Sequence, residues 1–128
     1  MPIPSDARLQ CFVMTADRAR ALPFYRDVLG LRLVAEDAYS AAFDCGGGAE
    51  LRLTDHSDWV PHPHTVIGWE VPDIVAAVDD LAAQGIACAI YEGFGQDARG
   101  IWHSPASSLA WFKDPDGNVL SFAQRHQS

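Results

Sequence analysis

Apolar and polar residues alternate over residues 9–15, give way to a helical repeat at Ala21, Phe24, Tyr25 and Val28, and alternate again over 49–54. A period of two marks a half-buried strand, whereas i, i+3, i+4, i+7 spacing marks one face of a helix. Asp17 stands where an N-cap belongs and Gly30 closes the helix. Pro23, inside it, removes a backbone donor and crowds the preceding turn, so a broken or late-starting helix is expected there. Residues 31–35 and 39–43 read as strands, and Asp44-Cys45-Gly46-Gly47-Gly48 as the turn into the last one. That glycine run is followed by a strand and not a helix, so it is a hairpin turn and not a phosphate loop.

The same order returns after a polar, Pro- and His-rich connector at 55–63. Residues 64–71 form a strand, Asp73 caps a helix whose apolar face is Ile74, Ala77, Val78 and Leu81, and Gly85 closes it. A strand at 86–91 and a long loop at about 92–105 follow. Strands at 108–113 and 119–124 flank Asp114-Pro115-Asp116-Gly117-Asn118, a turn set by Pro, Asp and Gly. The expectation is an α+β chain of two βαβββ modules, about 7–54 and 64–125, within one domain spanning 1–128.

Strand parity divides each sheet into two faces. Cys11, Val13, Leu51, Leu53, Ile67, Trp69, Val71, Leu120 and Phe122 should pack on the helices. Gln10, Phe12, Met14, Glu50, Arg52, Thr54, Val66, Gly68, Glu70, Trp111, Val119 and Ser121 should face the other way. This second set mixes polar and aromatic groups as small-molecule pockets do.

Composition narrows the function. At 128 residues, 48% hydrophobic and 20% charged, the chain can bury a core of its own. A net charge of −8 with only 9 Lys and Arg opposes nucleic acid, whose phosphates must be neutralised. No run of about 20 apolar residues is present and the first residues lack the pattern of a signal peptide, so no membrane association and a cytoplasmic location are expected. Cys11, Cys45 and Cys88 lack metal-binding spacing and read as buried reduced thiols.

Two stretches carry a resemblance. Phe24-Tyr25-Arg26-Asp27-Val28-Leu29-Gly30-Leu31 and Trp111-Phe112-Lys113-Asp114-Pro115-Asp116-Gly117-Asn118 closely resemble the signatures of the vicinal-oxygen-chelate superfamily, which includes glyoxalase I, bleomycin-resistance proteins, fosfomycin-resistance enzymes and extradiol dioxygenases. The resemblance covers almost the whole chain and speaks to fold more than to reaction. It implies a U-shaped, incompletely closed mixed β-barrel, commonly in a homodimer, with modules paired within one chain or swapped between two. In the metal enzymes of that superfamily, ligands come from the first and last strands of each module. Carried over by position, seven residues before the capping Asp, the first-strand sites fall on Gln10 and Val66; the last-strand sites fall on Glu50 and Ser121.

Gln10 and Glu50 fit that pattern, and Val66 and Ser121 do not. A catalytic divalent cation needs about three protein ligands and an open position, so no metal is expected. The first expectation is therefore a small-molecule-binding protein with a degenerate metal site, its ligand held by Gln10, Phe12, Arg52, Trp102, His103, Trp111 and Ser121. The alternative is a metal-dependent lyase, isomerase or dioxygenase in which Gln10, Glu50 and His64 hold Zn, Ni, Fe or Mn. A metal-free isomerase using Glu50 as base is a third reading.

Each candidate has a plain structural counterpart. Glu50 serves either as a general base or ligand acceptor, or as the partner of Arg52 or Gln10. His56, His62 and His64 match no rigid ligand spacing and read as exposed, with His64 placed to reach the mouth of the cup. The 93–103 segment is long for a strand connection and reads as a pocket lid or a dimer contact that carries Trp102 and His103. Trp111 either stacks on a ligand or fills the cup.

Overall fold

A computed structural model describes residues 2–127 and divides the chain into two compact units, Met1–Val60 and Pro61–Ser128. In unit one, β1 (Gln10–Thr15), a helix, β2 (Arg32–Glu36), β3 (Ser40–Asp44) and β4 (Glu50–Asp55) form a sheet of order β1-β4-β3-β2. In unit two, β5 (Thr65–Glu70), α2 (Ile74–Ala83), β6 (Trp102–His103), β7 (Ser107–Lys113) and β8 (Val119–Arg125) repeat it as β5-β8-β7-β6. The first and last strands of each unit pair in parallel and the other neighbours are antiparallel, so neither sheet closes on itself. This is the expected pair of βαβββ modules.

Pro23 breaks the first helix as its chemistry requires. α1 (Arg18–Pro23) ends there, and Phe24–Val28 continue with π-type winding. Widening the turn lets the chain continue past a residue with no N–H to give. Asp17 occupies the N-cap backbone position but its carboxylate caps nothing; its N–H instead donates to the Thr15 hydroxyl at 3.1 Å. Asp73 does cap, accepting from the Ala76 N–H at 3.1 Å. The expectation of two capping side chains therefore holds for one.

Parity placed the core correctly. Val13, Leu51, Leu53 and Phe43 are buried under Ala21, Phe24 and Tyr25, with the Tyr25 and Phe43 rings 6.1 Å apart. In module two, Ile74 and Val78 of α2 pack with Ala110 and with Ile101, while Val71, Cys88 and Phe122 lie against them.

Ile101 corrects the sequence reading. The expected strand at 86–91 is irregular, and the edge strand is instead Trp102–His103, inside the segment read as a loop. Here the Gln96 side chain accepts from the Tyr91 N–H at 2.7 Å and donates to the carbonyls of Ala89 (2.8 Å) and Gly100 (2.7 Å). Gln96 thus takes two backbone groups of that segment, while the Ala89 N–H still donates to the Trp111 carbonyl of β7 at 2.7 Å. Gly100, at φ 90°, brings the chain so close that a β-carbon there would lie 2.8 Å from the Cys88 β-carbon, and Ile101 then drops fully into the core. All three cysteines are half-buried and unbridged, and burial pushes the Cys45 and Cys88 thiols up in pKa.

Candidate functional site

The register of module one sets Gln10 opposite Glu50 and Phe12 opposite Arg52 on the face away from the helix. The Gln10 amide donates to Glu50 Oε2 at 2.6 Å and Arg8 donates to Oε1 at 3.1 Å, while the Glu50 side chain is only 12% exposed. Both carboxylate oxygens are thus engaged, one by Gln10 and one by Arg8. Arg52 pairs elsewhere, donating to the Ser40 hydroxyl at 2.8 Å and reaching Asp37 at 3.5 Å. The Asp37 carboxyl is held below its usual range, chiefly by the backbone N–H groups of Tyr39 and Ser40. A hollow of about 210 Å³ lies here, floored by Ala35, Ala42 and Ser40 and rimmed by Glu36, Glu50 and Arg52.

Module two is slipped relative to this. Pairing runs Thr65 to Val119, then Ile67 to Leu120, so Val66 is an extra residue in β5, a bulge. Ser121 consequently stands opposite Gly68, which lies as far before Asp73 as Phe12 lies before Asp17. The partner of Phe12 is Arg52. Arg52, and not Glu50, is therefore the counterpart of Ser121, which corrects the equivalence carried over by position from the resemblance.

The correction bears on metal. At the last-strand position, module one offers a guanidinium, which has no lone pair to give and repels a cation. Its remaining donors, Gln10 and Glu50, are bonded to each other and share a carboxylate with Arg8. Module two offers an aliphatic side chain and a neutral hydroxyl. A Zn, Ni, Fe or Mn centre needs about three good donors, and neither module's set fits one. Among the described residues no three His, Cys, Asp or Glu side chains gather to hold a metal ion.

Aromatic residues of module two gather instead. Trp111 has Tyr91 and Phe94 edge-on at ring distances of 5.8 and 5.6 Å, and Phe94 lies 6.3 Å from Trp102. Phe94 is 49% exposed although apolar, and Trp111 and Trp102 are half-buried. Tyr91, Phe94 and Trp111, with Pro63, His64, Thr65 and Val119, line an open cavity of about 280 Å³. His64 is one of these lining residues, stacked on His62 at 5.5 Å. Tyr91 and Phe94 were not singled out from the sequence, although Phe94 sits in a glycine-bracketed loop where an exposed aromatic is a signal.

Side-chain contacts fasten the 97–103 part of the long segment. Asp97 accepts from the N–H groups of Arg99 and Ile101 and pairs with His103 Nε2 at 2.9 Å, while Arg99 binds Asp79 of α2 at 2.8 Å. Burial pushes the Asp97 carboxyl up, but those hydrogen bonds outweigh it and leave it below its ordinary range. His103 is committed to Asp97 and, through Nδ1, to the Ser108 hydroxyl at 2.9 Å, which also meets His126 at 2.8 Å. Ser108 is only 1% exposed, so this chain of polar groups ties the β6–β7 edge and presents no nucleophile.

The model of the Glyoxalase/Bleomycin resistance protein/Dioxygenase superfamily matches residues 8–122. The chain belongs to this superfamily. Lactoylglutathione lyase of Haemophilus influenzae is 29% identical over 125 residues, covering 91% of this chain and 90% of that protein. TnmS3, an antibiotic binding protein from Streptomyces sp. CB03234, shares the fold with a TM-score of 0.72 at 23% identity, over 94% of this chain and 97% of its own. A superfamily member from Sphaerobacter thermophilus shares it with a TM-score of 0.72 at 20% identity, over 93% and 97%. Superfamily membership agrees with the resemblance read from the two signature stretches. No helix among the described residues is long and apolar enough to cross a membrane.

Proposed function

We propose that this superfamily member binds a small apolar or aromatic molecule without a catalytic metal, and that the aromatic face of module two is its main contact surface. The observation that carries the reading is Arg52. A cation stands where the register would place a metal ligand, and the nearby carboxylate is already neutralised by Arg8. TnmS3, an antibiotic binding protein with the same fold, supports it, because one scaffold can host binding as well as catalysis. Trp111, Phe94 and Tyr91 supply ring contacts, and His64 and Thr65 supply polar groups at the rim. Quenching of tryptophan fluorescence by a panel of aromatic compounds tests it. Saturable binding that weakens at least tenfold in Trp111→Ala is the expected result, and no saturable binding contradicts it.

A second reading rests on the 29% identity to a lactoylglutathione lyase: hemithioacetal isomerisation on a metal, with Gln10 and Glu50 as ligands. It requires metal-dependent turnover of the glutathione–methylglyoxal adduct by protein loaded with Ni²⁺ or Zn²⁺. The donor set predicts none.

A further inference from the structure

The three rings that line the module-two cavity are set at steep angles to one another. Tyr91 and Trp111 meet at 77° with centres 5.8 Å apart, Phe94 and Trp111 at 82° and 5.6 Å, and Tyr91 and Phe94 at 62° and 6.0 Å. None of these angles is the sum of the other two, and together they exceed a half-turn, so no one direction lies in all three ring planes. A group entering the cavity therefore cannot meet three ring edges; at least one ring is inclined to it and offers its face. The faces of aromatic rings are electron-rich and their edges electron-poor. Phe94 and Tyr91 keep 49% and 37% of their surface exposed, so the rings do not spend all of it on each other.

Charge points the same way. The other lining residues are Pro63, His64, Thr65 and Val119, so no Lys or Arg stands in the cavity wall. Lys113 shares the Trp111 face of β7 but does not line the cavity, and the exposed Glu92 adjoins Tyr91 in sequence. The net charge of −8 raises the concentration of cations near the surface of the chain. An anion would meet ring faces with no Lys or Arg to offset them. No carboxylate lines the cavity either, so a primary ammonium, compact and strongly hydrated, would give up water without gaining a salt bridge. A quaternary ammonium has no N–H to leave unpaired, and ring faces are the surface that recognises it.

We infer that this cavity selects a quaternary ammonium group. The inference rests on the reading of module two as the ligand surface and adds the charge of the ligand: a small aromatic molecule whose trimethylammonium end lodges among Tyr91, Phe94 and Trp111, with a polar end left for Thr65 and His64. At about 280 Å³ the cavity lies just below the range of about 300–1,000 Å³ that holds drug-sized ligands, which suits one ring with one ammonium group.

Three probes of nearly one shape test it by calorimetry on the full chain at neutral pH: 4-(trimethylammonio)phenol, its neutral isostere 4-tert-butylphenol, and the anion 4-hydroxybenzenesulfonate. The ammonium should bind at least about fivefold more tightly than the tert-butyl compound, and the sulfonate most weakly. Phe94→Leu, at an exposed position, and Trp111→Leu keep an apolar side chain but remove a ring face. Each should at least halve the ratio of ammonium to tert-butyl affinity, with Phe94→Leu keeping the melting temperature. A wild-type preference below fivefold, or a sulfonate that binds best, would overturn the selection of a cation and leave the function reading standing. A preference undiminished in both variants would overturn its assignment to the rings. Failure of the wild type to bind any of the three would overturn both readings.

Discussion

Arg18 and Ile74 each follow the N-cap aspartate of their module, and they do opposite things. The Arg18 guanidinium, 17% exposed, binds Asp55 at 2.6 and 3.0 Å, Glu36 at 3.2 Å and the carbonyls of Asp37 and Ser40, fastening α1 to β2, β3 and β4. Ile74 is buried, packs on Val78, Ala110 and Ile101, and gives its N–H to the Gln124 side chain. Module one is thus closed by a polar staple and module two by an apolar plug. The opposite faces follow the same division: charged and mutually satisfied in module one, small and aromatic in module two. One topology tolerates both because burial of one sheet face fixes the fold and leaves the other face to chemistry.

The largest effect should come from Ile101, against which the Ile74 plug packs. Ile101→Ala should cost about 2–5 kcal/mol, the range for removing a fully buried aliphatic side chain, read as a lowered midpoint in urea. A cost under about 1 kcal/mol would mean that the loop does not close module two. Next, Arg18→Ala should cost about 2 kcal/mol through lost hydrogen bonds to charged partners. Its amide-exchange protection should fall in residues 32–44, with module two unchanged. Loss spread evenly over both modules would remove the distinction between staple and plug.

The caps give a smaller contrast. Asp73→Ala should cost about 1 kcal/mol, whereas Asp17→Ala, whose carboxylate caps nothing, should cost clearly less. Equal costs by thermal melting would contradict the difference. The smallest effect is that of acid. The Asp55 carboxyl is held below its usual range mainly by the hydrogen bond from Arg18. A depressed folded pKa contributes stability above the unfolded value of about 4, and that stability is lost as pH falls through the folded value. The melting temperature should therefore drop below about pH 4, and drop less in Arg18→Ala. An identical acid profile in the variant would show that the Arg18–Asp55 pair is not what titrates.

Local patterns carried the fold and stopped short of the site. Alternation and helical spacing placed seven of the eight strands and the buried faces, because the burial that creates those patterns is local in sequence. The stretch expected as a strand at 86–91 is irregular, with the Tyr91 N–H and the Ala89 carbonyl taken by Gln96, a partner that no periodicity reveals. Parity also placed Gln10, Glu50, Arg52, Ser121 and Trp111 on the correct face. The carry-over of ligand positions missed the Val66 bulge, since an inserted residue changes register without changing composition, and so made Glu50 the counterpart of Ser121 where Arg52 is. His103 looked available for a ligand because the Asp97 and Ser108 contacts that hold it arise only in the folded loop.

Arg52 and Ser121 occupy the last-strand positions and Arg8 pairs with Glu50, so neither module's donor set fits a divalent metal. Elemental analysis of protein purified without added metal or chelator tests it most directly. Zn, Ni, Fe and Mn should together fall far below one equivalent per chain. One tightly held equivalent, lost in Glu50→Ala, would contradict the account.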